Sequence, residues 1–206
     1  MEHMSAEEDE RASLVRAAQV VLERAGWEDF KVQLLLRETG LSARTFYRHF
    51  AGKEELFLVL MQGEYARSAA RIRTAMARED GPARKIAAWI DELVQAAGDP
   101  RRAARARLFT SQPAVLRHYP DKVAEAARLV LEPLADAIRE GRSTGELPDG
   151  DPDRDPELIH QLAGTAMARA LAHSREESVD EVTADVTGFV LRALGFRPCG
   201  RSRRRP

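Results

Sequence analysis

Cysteine is almost missing from these 206 residues, and the single one, Cys199, lies near the C-terminal end. A disulfide framework and a cysteine zinc site are therefore both excluded. Aromatic residues make up only 6% of the chain. No run of alternating β-branched residues bounded by turns occurs, so strands are not expected. No apolar stretch approaches the ~18 residues needed to cross a bilayer, and no signal-peptide core follows the acidic start; a cytoplasmic location is the expectation. Proline is absent before Pro82, which leaves the first part of the chain free of the strongest helix breaker. The histidines His3, His49, His118, His160 and His173 form no HExxH pattern. Neither a P-loop nor a dinucleotide-binding glycine pattern appears. We therefore expect no catalytic residues, no metal and no cofactor.

Charge is plentiful and almost balanced, with 32 Lys and Arg against 33 Asp and Glu, but it is unevenly distributed. Residues 1–10 carry Glu2, Glu7, Glu8, Asp9 and Glu10 and no Lys or Arg. Residues 11–53 carry eight bases against four acids, a local charge of +4. A localised basic face is what phosphate binding needs, and the overall charge is a poor guide to it. Alanine, leucine, arginine and glutamate dominate, which favours helices. At this length the chain can bury a sizeable core.

The most informative segment runs from Thr39 to Phe50. Gly40 suits a helix stop with positive φ, and Ser42 is a good N-cap for the helix that follows. Leu41, Phe46 and Phe50 fall at inward spacing, leaving Arg44, Thr45, Tyr47, Arg48 and His49 to face outward or line the edge. Upstream, Ser5 to Glu8 reads as a capping box, and Leu14, Ala18, Val21, Leu22 and Ala25 recur at helical spacing up to Gly26. A second short helix from about Lys31 to Thr39 turns Val32, Leu35 and Leu36 inward. Leu14, Val21, Phe30, Leu35, Leu41, Phe46 and Phe50 would share one apolar centre. The pattern reads as a helix-turn-helix whose third helix meets a major groove.

These residues resemble a known family. Gly26-Trp27, Val32 to Leu35, Gly40-Leu41-Ser42, Thr45 to Phe50 and Lys53-Glu54-Glu55-Leu56 look like the N-terminal signature of TetR-type transcriptional regulators. The likeness covers about Leu14 to Leu56. Lys31 departs from it where Thr or Ser is common, as do Leu36 and Thr39 where small Ala residues are common. The resemblance implies an all-α protein, with a three-helix DNA-binding head and a helical ligand-binding and dimerisation domain, about nine helices in total. It further implies a dimeric, ligand-responsive regulator, usually a bacterial repressor. On that reading Ser42, Thr45, Tyr47, His49 and Lys53 contact phosphates and set register, with a helix-capping or core role as the alternative for His49. Arg44 and Arg48 read bases, since a guanidinium bridges guanine O6 and N7. Gln33 holds a position that reads a base in some relatives, and Ala43 meets a thymine methyl. A dimer would present two such helices to a palindromic operator.

The remainder divides at prolines and glycines. A long helix is expected from Lys53 to about Arg78, with Leu56, Phe57, Leu60, Met61, Tyr65 and Ile72 as its apolar positions. Asp80-Gly81-Pro82 and Asp99-Pro100 begin helices near 82–97 and 100–110. A turn over 111–119 leads to a helix of about 120–141, bent at Pro133. Further helices follow from Asp155-Pro156 to about Ser174 and from a capping box at Ser178 to Gly195. Leu158, Leu162, Ala166 and Ala170 line the first of these last two. Val182, Val186, Phe189, Val190 and Ala193 form a stripe on the second. The resemblance makes this hairpin the dimer interface, as one half of a four-helix bundle; the bland alternative packs both stripes on the chain's own core.

Where such regulators hold an effector, the residues to consider are Leu60, Tyr65, Trp89, Leu93, Phe109, Leu116, His118, Tyr119, Leu129 and Met167. They suggest a hydrophobic small molecule. The expected organisation is a DNA-binding domain over 1–52, an effector and dimerisation domain over 53–196, and a disordered basic tail over 197–206. Rival readings are a constitutive or activating regulator without an effector, and a helical interaction module with an unused head.

Overall fold

The computed structural model describes residues 2–110, 117–148, 150–151, 154–172 and 178–196. Leu116, His173, Cys199 and the arginine-rich tail lie outside the described residues. The helices are α1 (Glu2–Ala25), α2 (Val32–Thr39), α3 (Ala43–His49), α4 (Lys53–Met76) and α5 (Pro82–Val94). A 3-10 turn over Gln95–Ala97 follows, and then α6 (Pro100–Thr110), α7 (Pro120–Ser143), α8 (Arg154–Ala172) and α9 (Val179–Ala193). No strand occurs among the described residues. The expected all-α architecture is thus the one observed.

The chain forms two compact units. One comprises Met1–Tyr65 with Ala104–Ala126, the other Ala66–Ala103 with Ala127–Pro206. In the first, α1 contributes Leu14, Ala18, Val21 and Leu22 to a core completed by Phe30, Leu35, Phe46, Phe50, Leu56 and Leu60. All the expected head-core residues are buried except Leu41, which is half-buried at the edge of that cluster. Phe46 and Phe50 sit with ring centroids 5.7 Å apart. A second cluster gathers Leu58, Met61 and Ala126, with Tyr65, Phe109 and Val123 against it.

In the second unit α5 packs against both α8 and α9. Ile86, Trp89, Ile90 and Val94 of α5 are fully buried. The Trp89 indole N–H donates to the Val130 carbonyl at 2.7 Å, so the one polar atom of that side chain is satisfied inside the core. Ile159, Ala163, Ala170 and Leu171 of α8 and Val186 and Val190 of α9 complete the packing. Ion pairs lie around it, among them Lys85–Glu140 at 2.6 Å and Arg102–Glu92 at 2.6 Å.

Several helix ends differ from the sequence reading. Helix α1 begins at Glu2, so Ser5 lies within it and the expected capping box is not its start. The N-cap of α5 is Gly81, at φ 83°, rather than Asp80. Asp99 does cap α6, its Oδ1 accepting from the N–H groups of Arg101 and Arg102 at 2.9 and 2.8 Å. Helix α8 begins one residue before Asp155, where Asp151 Oδ1 accepts from the Arg154 N–H at 2.9 Å. Ser178 precedes α9 without a side-chain capping bond. Helix α7 continues past Gly141, which is internal because of space rather than as a stop. A Cβ there would lie 2.7 Å from Leu147 Cδ1 and 3.1 Å from Pro82 Cβ.

His160 of α8 meets the Trp89 ring edge-on, with centroids 6.1 Å apart. Burial pushes its imidazole below the usual value of 6.5. The unfolded chain therefore takes up this proton more readily than the folded one, so stability is complete above about pH 6.5 and declines as pH falls below it. Replacing His160 by Phe, which keeps a ring against Trp89, should flatten that decline when denaturant midpoints are compared between pH 7.5 and pH 5.

Candidate nucleic-acid interface

The turn between α2 and α3 is set by backbone chemistry. Gly40 adopts φ 68° and its N–H donates to the Leu36 carbonyl, closing α2 in the left-handed conformation that disfavours other residues. Two residues later Ser42 caps α3, its Oγ accepting from the Thr45 N–H at 3.1 Å. The same hydroxyl lies 2.9 Å from Thr45 Oγ1. Phe46 anchors α3 from beneath. At the start of α2, Lys31 occupies the cap position and makes no capping bond, the physical consequence of a lysine in place of a hydroxyl residue.

This local geometry distributes the candidate DNA contacts. Gln33, Ser42, Ala43 and Arg44 are exposed, and Thr45 is half-buried. Tyr47 is 61% exposed, its ring set edge-on to Phe46 at 5.2 Å. Lys53, at the start of α4, places Nζ 4.5 Å from the centroid of the Trp27 ring. That cation–π contact holds the ammonium near the end of α3 instead of leaving it to swing freely.

Arg48 and His49 are placed differently. The His49 side chain is only 9% exposed, and its Nε2 lies 3.0 Å from Glu10 Oε2. The same carboxylate oxygen accepts from the Arg48 guanidinium, and Glu7 Oε1 stands 3.8 Å from Arg48 Nε. The His49 and Arg48 hydrogen bonds, in that order, hold the Glu10 carboxyl below the ordinary carboxylate range. Glu7, Glu10 and Trp27 are legible in the sequence as acids and as part of the family signature, but not among the expected contact residues. The signal available was the three-residue spacing of Glu7 and Glu10, which puts both on one face of α1. Adding the five acids of residues 1–10 to the +4 of residues 11–53 gives residues 1–53 a net charge of −1.

The other candidates fall into separate places. In the first unit Leu60 is buried in the head core, Tyr65 and Phe109 adjoin the second apolar cluster, and His118 and Tyr119 are exposed. Desolvation raises the Tyr65 phenol above its usual value. In the second unit Trp89 is buried, Leu93 and Met167 are half-buried, and Leu129 is exposed. The hairpin residues also separate. Ala170, Val186 and Val190 are buried in the chain's own core, and Leu162, Ala166 and Val182 are half-buried. Leu158 and Phe189 remain 52% and 55% exposed, and Ala193 is exposed with them. Leu158, Leu162, Phe189, Ala193 and Leu194 border an apolar groove of about 170 Å³. Among the described residues no cluster of three or more His, Cys, Asp or Glu side chains suits a metal, and no helix is long and apolar enough to cross a membrane.

Residues 14–60 match the family profile described as bacterial regulatory proteins, tetR family. No curated protein matches the sequence. Among solved structures, the chain is similar to the Bacillus subtilis regulator FadR in complex with stearoyl-CoA, at 19% identity and a TM-score of 0.70, over 87% of this chain and 96% of that one. It is similar to a TetR transcription regulator from Haloarcula marismortui, at 18% identity and a TM-score of 0.72, over 91% and 98% of the two chains. A third is RolR in complex with resorcinol, at 17% identity and a TM-score of 0.69, over 94% and 91%.

Because Ser42 Oγ satisfies a backbone N–H at the start of so short a helix, Ser42→Ala should lower the unfolding free energy by about 1 kcal/mol. Ser42→Gly should lower it by only a few tenths, and the two can be compared by urea denaturation.

Proposed function

We propose that this chain, with its tetR-family head and TetR-type helical fold, is a homodimeric transcriptional repressor that releases a palindromic operator when a small apolar ligand binds. The observation that carries the reading is the exposed row Gln33, Ala43, Arg44 and Tyr47 beside the Gly40 turn, within the matched residues 14–60. Arg44 is exposed and reads a base, most simply guanine through O6 and N7. Ser42, Thr45, Tyr47 and Lys53 take phosphates, with Lys53 pre-positioned by Trp27. Gln33 and Ala43 supply the remaining base contacts.

One head makes too few contacts for useful selectivity, which favours a dimer. The exposed pair Leu158 and Phe189 supports the α8–α9 hairpin as the pairing face. Two recognition helices then meet successive major grooves, ~34–36 Å apart. The complexes of FadR with stearoyl-CoA and of RolR with resorcinol support a small-molecule effector here. Such a ligand shifts the equilibrium only by its differential affinity for the bound and released conformations. On this reading the protein acts in the cytoplasm, with DNA and a small molecule rather than a membrane as its partners, and has no enzymatic activity or cofactor.

Selection of duplexes from a random pool by the purified protein tests the reading directly. The expected product is an inverted repeat with half-sites one helical turn apart, and recovery of no enriched sequence would refute it. On that operator Arg44→Ala should weaken binding by about 1–3 kcal/mol and relax preference at one base pair. Lys53→Ala should weaken all duplexes alike and flatten the salt dependence. Phe189→Asp should shift the protein from dimer to monomer in sedimentation, since it places a charge in the centre of the pairing face.

A further inference from the structure

The acidic start of α1 and the basic end of α3 come together within the head. Glu7 and Glu10 lie on one face of α1, and both reach Arg48. Glu10 Oε2 also serves His49, so a single carboxylate oxygen receives two consecutive residues of the recognition helix. The last turn of a helix favours cations, and the cationic side chains it carries there, Arg48 with His49 beside it, are what hold the carboxylate. Arg44, one turn earlier, has no ion pair among the described residues. The two guanidiniums of α3 are thus in different states.

A carboxylate and a phosphate oxygen are interchangeable partners for a guanidinium: both are oxyanions that accept its N–H groups at charge-assisted hydrogen-bond distance. Glu10 on one terminal amino group and Glu7 near Nε engage one side of the Arg48 guanidinium and leave fewer of its five N–H donors for DNA. Resting on the DNA-binding reading above, we infer that Glu10, supported by Glu7, is a built-in competitor for DNA. Its carboxylate holds Arg48 in place of a backbone phosphate, and every duplex must displace it. Arg48 is then a phosphate contact and Arg44 the base reader of α3. The competitor lowers affinity for operator and random duplex by the same factor, since the same contact is exchanged in both complexes. It keeps the protein from being absorbed by the excess of non-operator DNA, for which phosphate contacts supply essentially all of the binding.

The test is Glu10→Gln, which keeps the side-chain length and an acceptor for His49 while removing the charge. Titration of operator and random duplex should show both binding about three- to tenfold tighter, with their ratio and the base preference unchanged. Glu7→Gln should move both in the same direction by less. Asp9→Asn removes an equal charge beside the contact and should have a smaller effect than Glu10→Gln. In an Arg48→Ala background the gain from Glu10→Gln should vanish. Unchanged or weaker binding by Glu10→Gln, an equal gain from Asp9→Asn, or a gain that persists without Arg48 would each overturn the inference. A changed base preference would do so as well, by restoring Arg48 as a reader. Salt elution from immobilised heparin needs no operator: Glu10→Gln should elute later than the parent, and co-elution would count against the competitor. If no duplex is enriched but the heparin shift is present, the regulator reading fails and the anion-competition contact stands.

Discussion

The position of α3 depends on Phe46 being buried while Arg44 and Tyr47 stay in solvent. A helix this short has little stability alone, because nucleation consumes most of what its few hydrogen bonds return. Its order comes from three external supports: the left-handed Gly40 that ends α2, the Ser42 cap, and the burial of Phe46 with Phe50 among Leu14, Val21 and Leu35. Once those are in place, the exposed direction is fixed by helical geometry. Arg44 and Tyr47 cannot turn inward without removing Phe46 from the core.

The same division between packed and presented surface explains the second unit. Its α8 and α9 each bear an apolar stripe wider than one core requires. Ala170, Val186 and Val190 are used within the chain, while Leu158 and Phe189 are left over. Scattered exposed apolar residues are ordinary, but these two border a common groove with Leu162, Ala193 and Leu194. A face of this kind suits a two-fold copy of itself, since the same patch serves both partners. Trp89 has a different role: with its N–H bonded to Val130 and its ring against His160, it belongs to the interior of the unit.

Charge in the head is organised by contact more than by count. Glu7 and Glu10 look separate from the basic segment along the sequence, yet α1 carries them back to α3. At hydrogen-bond range such a pair outweighs the average field of the whole domain, because exposed charges more than a Debye length apart (about 10 Å) are largely screened. On the proposed function, the basic character offered to DNA is the part not already neutralised, centred on Arg44 and Lys53.

The sequence by itself determined the helix-turn-helix, its apolar centre and the helical class of the whole. Glycine at a positive-φ stop, a hydroxyl at a cap and phenylalanines four residues apart act through local rules that need no knowledge of distant residues. The Asp99 cap and the exposed Arg44 were legible for the same reason. Tertiary structure alone decided the fate of Arg48 and His49, the pairing of Lys53 with Trp27, and the division of the hairpin stripes into buried and exposed halves. Each of these depends on which segments become neighbours across many residues. Helical periodicity tells which side of a helix is apolar or charged, but not which surface that side will meet.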